Sequence, residues 1–128
     1  MGNVKQVGGD HYSAEYQHWD WCADTGMPYL EGTASKYLTR WKKKGGNLDL
    51  EKALSYVNKA IATADRRPDP LAGERRGRDL VKLHRFLASS GLLGTVEGEL
   101  ITELDGCRSL GTLRHVAQVL VEMIHESA

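Results

Sequence analysis

The chain has 128 residues, 41% of them apolar and 27% charged, with basic and acidic side chains in equal number. This is the composition of a folded domain and excludes a disordered or fibrous chain. Zero net charge excludes a global pull toward nucleic acid or an anionic membrane, so any polyanion site must come from local segregation of charge.

Residues 1–14 are polar and contain glycines, with Gly8-Gly9-Asp10 leading into His11-Tyr12, and are expected to be irregular. From Glu15 onward, Tyr16, Trp19, Trp21, Cys22 and Ala23 suit a short helix that stops at Gly26, with Pro28 barring its continuation. His18 and Cys22 stand four apart on that helix, a spacing open to metal ligation, beside Asp20 and Asp24. No further Cys/His pair completes a zinc site, and the aspartates read as solvated helix acids rather than magnesium ligands, so no metal site is predicted.

A second helix is predicted from Tyr29 to Lys43, with Leu30, Ala34, Tyr37, Leu38 and Trp41 as its buried stripe. Lys36, Arg40, Lys42, Lys43 and Lys44 put five cations here with no acid among them, whereas the chain up to Glu31 holds five acids and a single lysine. Arg40, Lys43 and Lys44 follow Lys36 at helical spacings that place them on one face, a row of donors suited to phosphate. The same lysines also suit the negative end of a helix dipole and a solvated surface. Gly45 and Gly46 offer the left-handed residue that closes a helix. Asn47 or Asp49 then caps a third helix running to about Ala64, with Leu50, Ala53, Leu54, Val57 and Ile61 facing inward. Tyr56, one turn beyond Lys52, suits either the core or a stacked base. The short connection predicts an antiparallel helical hairpin.

Residues 65–77, with two prolines, two glycines and mixed charge, read as a linker between a core at 1–64 and a C-terminal lobe at 78–128. In that lobe a fourth helix carries Leu80, Val81, Leu83, His84 and Leu87 and stops before Gly91. A fifth covers Glu97 to Asp105 and ends at Gly106. Ser109 caps a long sixth helix whose seam of Leu110, Leu113, Ala117, Leu120 and Ile124 suits another helix. About six helices and no confident strand make the expected fold all-α. The seam leads to an expected homo-oligomer, with packing inside its own lobe as the other way to cover it. Cys22 and Cys107 show no paired spacing, no signal-peptide pattern opens the chain, and no window reaches the roughly 18 apolar residues of a membrane helix. A cytoplasmic protein without membrane contact is expected.

No glycine-rich phosphate loop or hydrolase signature occurs, so a nucleotide would have to be held by side-chain cations on helices. Gly9-Asp10-His11-Tyr12, Gly32 through Lys36-Tyr37 and Arg40, Lys43 or Lys44 with Gly45, Asp49-Leu50, Lys52-Ala53 and Tyr56 form a linked set. Over residues 8–61 this set resembles the small bacteriophage nucleotide-kinase-like, or SaV-like, family, which includes the early nucleotide kinase of T-odd coliphages. The resemblance implies a phage protein acting in an infected bacterial cell and binding nucleoside phosphates. It brings forward His11, Tyr12, Lys36, Tyr37, Arg40, Lys44, Asp49 and Lys52 as nucleotide-binding residues.

Two functions follow from that expectation. A nucleoside monophosphate kinase would use ATP and magnesium, with Lys36, Arg40 and Lys44 neutralising the transferring phosphoryl group and His11 or Asp49 orienting the acceptor. A non-catalytic sponge would instead sequester a cyclic or oligonucleotide immune signal of the host as an anti-defence protein, needing only cations and a stacking aromatic. Nucleic acid is the weaker partner on charge grounds.

Overall fold

A computed structural model describes residues 15–67, 75–106 and 109–128. These residues form six α-helices and no strand: α1 (His18–Thr25), α2 (Tyr29–Arg40), α3 (Asn47–Ala62), α4 (Leu80–Ser89), α5 (Val96–Asp105) and α6 (Leu110–Ser127). One turn of 3-10 helix, Ala64–Arg66, follows α3. The fold is all-α, and no helix among the described residues is long and apolar enough to cross a membrane. His11, Tyr12 and Cys107 lie outside the described residues.

Local chemistry explains where the helices begin and end. Gly26 takes a left-handed conformation at φ 65° and closes α1, with Met27 N–H bonded back to the Cys22 carbonyl at 3.1 Å. Pro28 then precedes the first residue of α2 in extended conformation. Asp79, Thr95 and Ser109 cap α4, α5 and α6, each accepting a backbone N–H from the first turn at 3.0 Å.

Helix α2 stops at Arg40, one turn short of the expected Lys43. Residues 41–46 form a compact turn, in which Lys44 N–H reaches the Arg40 carbonyl at 2.9 Å and Gly46 N–H reaches the Trp41 carbonyl at 2.7 Å. Neither Asn47 nor Asp49 caps α3. Gly46 holds the cap position at φ 57°, and Asn47 donates instead to the Ile124 carbonyl of α6 at 3.2 Å.

Helices α2 and α3 pack on each other most extensively, and α3 packs next on α6. Arg40 meets Asp49, Tyr37 meets Lys52, and Tyr56 lies between Tyr29 and Tyr37, which is an antiparallel register. Leu38, Leu50, Ala53, Val57, Leu100, Ile101, Val116 and Leu120 join one continuous buried cluster. Where α2 crosses its neighbours, Gly32, Ala34 and Ser35 are buried, so small residues permit the close approach. Trp21 of α1 stacks on Phe86 of α4 with ring centres 5.0 Å apart, fixing α1 to the second half of the chain.

The region read as a linker is more than a spacer. Arg67 makes a bidentate pair with buried Glu31 at 2.6 and 3.0 Å. Arg75 is itself buried, with its guanidinium on the Asp105 carboxylate and the Thr25 carbonyl. Arg78 completes the pairing of Asp105 at 2.9 Å. Residues 75–79 thus clasp the end of α1 to the end of α5. A side chain on Gly77 would run into the Thr25 carbonyl, so the clasp depends on glycine there.

Candidate functional site

The hairpin sets three cations around one aromatic ring. Lys36 Nζ lies 5.2 Å from the Tyr37 ring centre, Lys52 Nζ lies 5.3 Å from it, and the Arg40 guanidinium carbon lies 5.7 Å from it. Two of these come from α2 and the third from α3, so the antiparallel register creates the cluster. Tyr37 stacks on Tyr56 at 6.1 Å, and Tyr56 meets Tyr29 edge-on at 6.2 Å. An aromatic ladder thus runs beside the cations. Among the described residues, neither Lys36 nor Lys52 pairs with a carboxylate.

Arg40 differs from the lysines in being held. Its Nε donates to Asp49 at 3.0 Å, and Gly45 N–H donates to the same carboxylate oxygen at 3.0 Å. Asp49 is buried, so its part is to anchor Arg40 and the turn. Tyr56 is half-buried, with its phenol pushed upward in pKa chiefly by a hydrogen bond with Tyr29.

The expected single face of cations is divided in two. Because α2 ends at Arg40, Lys43 and Lys44 sit in the turn rather than about two helical turns above Lys36. Lys36 lines a groove of about 410 Å³ between α1 and α2, with Trp19, Met27 and Tyr29. Arg40, Lys43 and Lys44 line another groove of about 410 Å³, with Tyr16, Ser89 and Ser90. Lys42 turns away to pair with buried Glu97 at 3.1 Å. Of the residues predicted to bind nucleotide, Lys36, Tyr37, Arg40 and Lys52 converge, Asp49 supports them, and Lys44 faces the second groove. Tyr29 and Trp19 escaped that prediction, and their exposure on adjoining helices is the signal that finds them.

Behind the first groove, His18 Nε2 lies 2.8 Å from Ser35 Oγ, and Ser35 donates its hydroxyl proton to the Gly32 carbonyl. The Ser35 hydroxyl is thereby committed, so the imidazole acts as its donor. Burial lowers the His18 pKa to about 4, against a raising contribution from a backbone hydrogen bond at Gly32, and nearby Lys36 lowers it further. The ring is neutral at pH 7. Burial also raises the Cys22 thiol to about 11, which keeps it protonated. Among the described residues no three His, Cys, Asp or Glu side chains are grouped to hold a metal. Asp20 bonds the Gln17 N–H at 2.9 Å and Asp24 accepts from Tyr16 at 2.7 Å, so both serve α1 itself.

Comparison with protein families, characterised proteins and solved structures gives no match for this chain.

Proposed function

We propose that this chain binds a nucleoside phosphate on the α2–α3 hairpin, with Lys36, Arg40 and Lys52 holding the phosphate and phosphoryl transfer to a nucleoside monophosphate as its reaction. The convergence of three cations on the Tyr37 ring carries the reading. Two lysines without carboxylate partners keep their charge available to an anion, and an anchored arginine gives the fork that grips two phosphate oxygens. Phosphoryl transfer asks mainly for positioning and neutralisation of charge, which side-chain cations can supply.

One observation favours capture without turnover as a second reading. Asp49, the carboxylate nearest the cations, is committed to Arg40 and Gly45, and His18 is committed to Ser35. Asp49 is moreover only 1% exposed, which leaves it poorly placed to accept a proton from an acceptor hydroxyl.

A single experiment separates the two. The purified protein is incubated with labelled deoxynucleoside monophosphates, ATP and magnesium, and in parallel with cyclic dinucleotides. Diphosphate product supports transfer and removes simple capture; tight binding with intact ligand and no product removes the kinase. Lys36→Ala and Lys52→Ala should each weaken binding by about 1.5–3 kcal/mol, the scale of a hydrogen bond to a charged group. Calorimetry that finds both variants binding as the wild type does would return the cluster to an ordinary solvated surface.

A further inference from the structure

Eight large apolar side chains are left exposed among the described residues, and the only aromatic ones are Trp19 at 61% and Tyr29 at 73%. Both line the groove between α1 and α2. Burying these rings would have been favourable, so two of them open on one groove form an adhesive surface. The groove's volume of about 410 Å³ falls within the roughly 300–1,000 Å³ of small-molecule sites.

Charge gives the groove a direction. Its lining has no carboxylate and one permanent cation, Lys36. Tyr29, Thr33 and Lys36 follow one another along a single face of α2, so the aromatic and the cation occupy opposite ends of a helical row. His18 adds a neutral ring to the wall, held by Ser35 at 2.8 Å and edge-on to Trp21 and Phe86 at 5.7 and 5.5 Å. A ligand matched to this groove has a flat apolar part and a negative end. The groove beside Arg40 differs, being lined by three cations, hydroxyls and the Glu15 carboxylate, with no exposed aromatic.

We propose that the α1–α2 groove seats the base of the bound nucleotide against Trp19 and Tyr29, while Lys36 takes the first phosphate and passes the chain of phosphates toward Arg40. This deepens the nucleoside-phosphate reading and rests on it. Stacking on two aromatics is sequence-tolerant because every base has a π-face, so the groove selects for the presence of a base more strongly than for its identity.

The test compares the four deoxynucleoside monophosphates with 2-deoxyribose 5-phosphate, which has the phosphate and no base, by calorimetry on the full chain. Trp19→Ala and Tyr29→Ala should each weaken nucleotide binding about tenfold, toward the affinity of the sugar phosphate, and leave the sugar phosphate unaffected. Lys36→Ala should weaken both ligands. The tryptophan emission change at nucleotide saturation should shrink in Trp19→Ala, because Trp21 is fully buried and the partly exposed Trp41 lies outside this groove. As both substituted side chains are largely exposed, melting temperatures should stay near that of the wild type.

Nucleotide affinity unchanged in Trp19→Ala and Tyr29→Ala, or the sugar phosphate lost in the same proportion, would overturn the base seat and leave the cation cluster standing. Sensitivity to Trp19 with indifference to Lys36 and Lys52 would support the base seat and remove the cluster as phosphate holder. A wild-type protein that binds neither ligand would overturn both.

Discussion

The Arg40 guanidinium and the Gly45 backbone N–H meet on one oxygen of Asp49, each at 3.0 Å. Asp49 is 1% exposed and Arg40 42%, so one end of the pair is sealed while the other reaches solvent beside Tyr37. The carboxylate joins the end of α2, the turn and the start of α3. It also holds Arg40 in a single pose, which lowers the entropy lost when a phosphate is gripped.

Asp49→Ala should therefore act on stability and on binding together. The half-exposed ion pair contributes little through charge alone, so the main cost is the Gly45 N–H left without its acceptor and the freed turn, about 2 kcal/mol in urea denaturation. Nucleotide affinity should fall in the same variant although Asp49 touches no ligand. Asp49→Asn keeps an acceptor for Gly45 and should recover part of the stability. A loss below about 0.5 kcal/mol for Asp49→Ala would show that the tie does not hold the turn.

The two glycines of the turn should respond differently. A methyl group on Gly45 would fall on the Asp49 carboxylate, whereas one on Gly46 meets open space but must accept φ 57°. Gly45→Ala should cost about 2 kcal/mol in the wild type and much less in an Asp49→Ala background, because the clash leaves with the carboxylate. Gly46→Ala should cost roughly 1–3 kcal/mol in both backgrounds, the penalty for a side chain at φ 57° and ψ −137°, a backbone conformation that favours glycine. Equal effects of Asp49→Ala on the two glycine variants would remove this account of the turn.

The helix periods were legible in the chain, and Gly26 and Ser109 end and begin helices where their chemistry predicts, whereas Gly46, expected to close α2, instead precedes α3 as its cap. The end of α2 was not legible, because three lysines have good helix propensity and nothing local announces that Gly46 N–H will bond to Trp41. Buried charges were hidden for another reason. Glu31 and Arg67 are 36 positions apart and Asp105 and Arg75 are 30 apart, so each reads as a surface residue until the chain folds. Lys36, Tyr37 and Arg40 were close in sequence and came through together, whereas the groove of Trp19 and Tyr29 exists only once α1 lies against α2.

The Arg75–Asp105 pair offers a prediction free of the binding question. Both side chains are buried, and Asp105 also receives Arg78 at 2.9 Å while Arg75 holds the Thr25 carbonyl. Asp105→Ala takes the carboxylate away from the buried Arg75 guanidinium and should destabilise the fold by about 3–5 kcal/mol, the range for one partner removed from a buried pair. Replacing both residues, Arg75→Met with Asp105→Leu, should cost less than Asp105→Ala alone, since the buried Arg75 charge is then removed together with its carboxylate. A double variant as unstable as the sum of its singles, measured by thermal unfolding, would refute this.

His18 makes stability depend on pH in a specified direction. The unfolded chain takes up a proton at the ordinary histidine value of 6.5, while burial holds the folded ring neutral down to about 4. Above pH 6.5 both states are neutral and the ring adds no dependence. As pH falls from 6.5 toward 4 the unfolded state binds more protons, so stability falls by at most about 1.4 kcal/mol per pH unit, and it levels off below the folded value. His18→Gln keeps a donor for Ser35 but cannot titrate, so the difference in slope between it and the wild type isolates the ring from the exposed histidines and the carboxylates. Urea denaturation from pH 7.5 to pH 5 should show the wild type losing stability faster than His18→Gln. Parallel curves would mean that the folded imidazole accepts its proton as readily as the unfolded one, and burial would then not be what keeps the ring neutral.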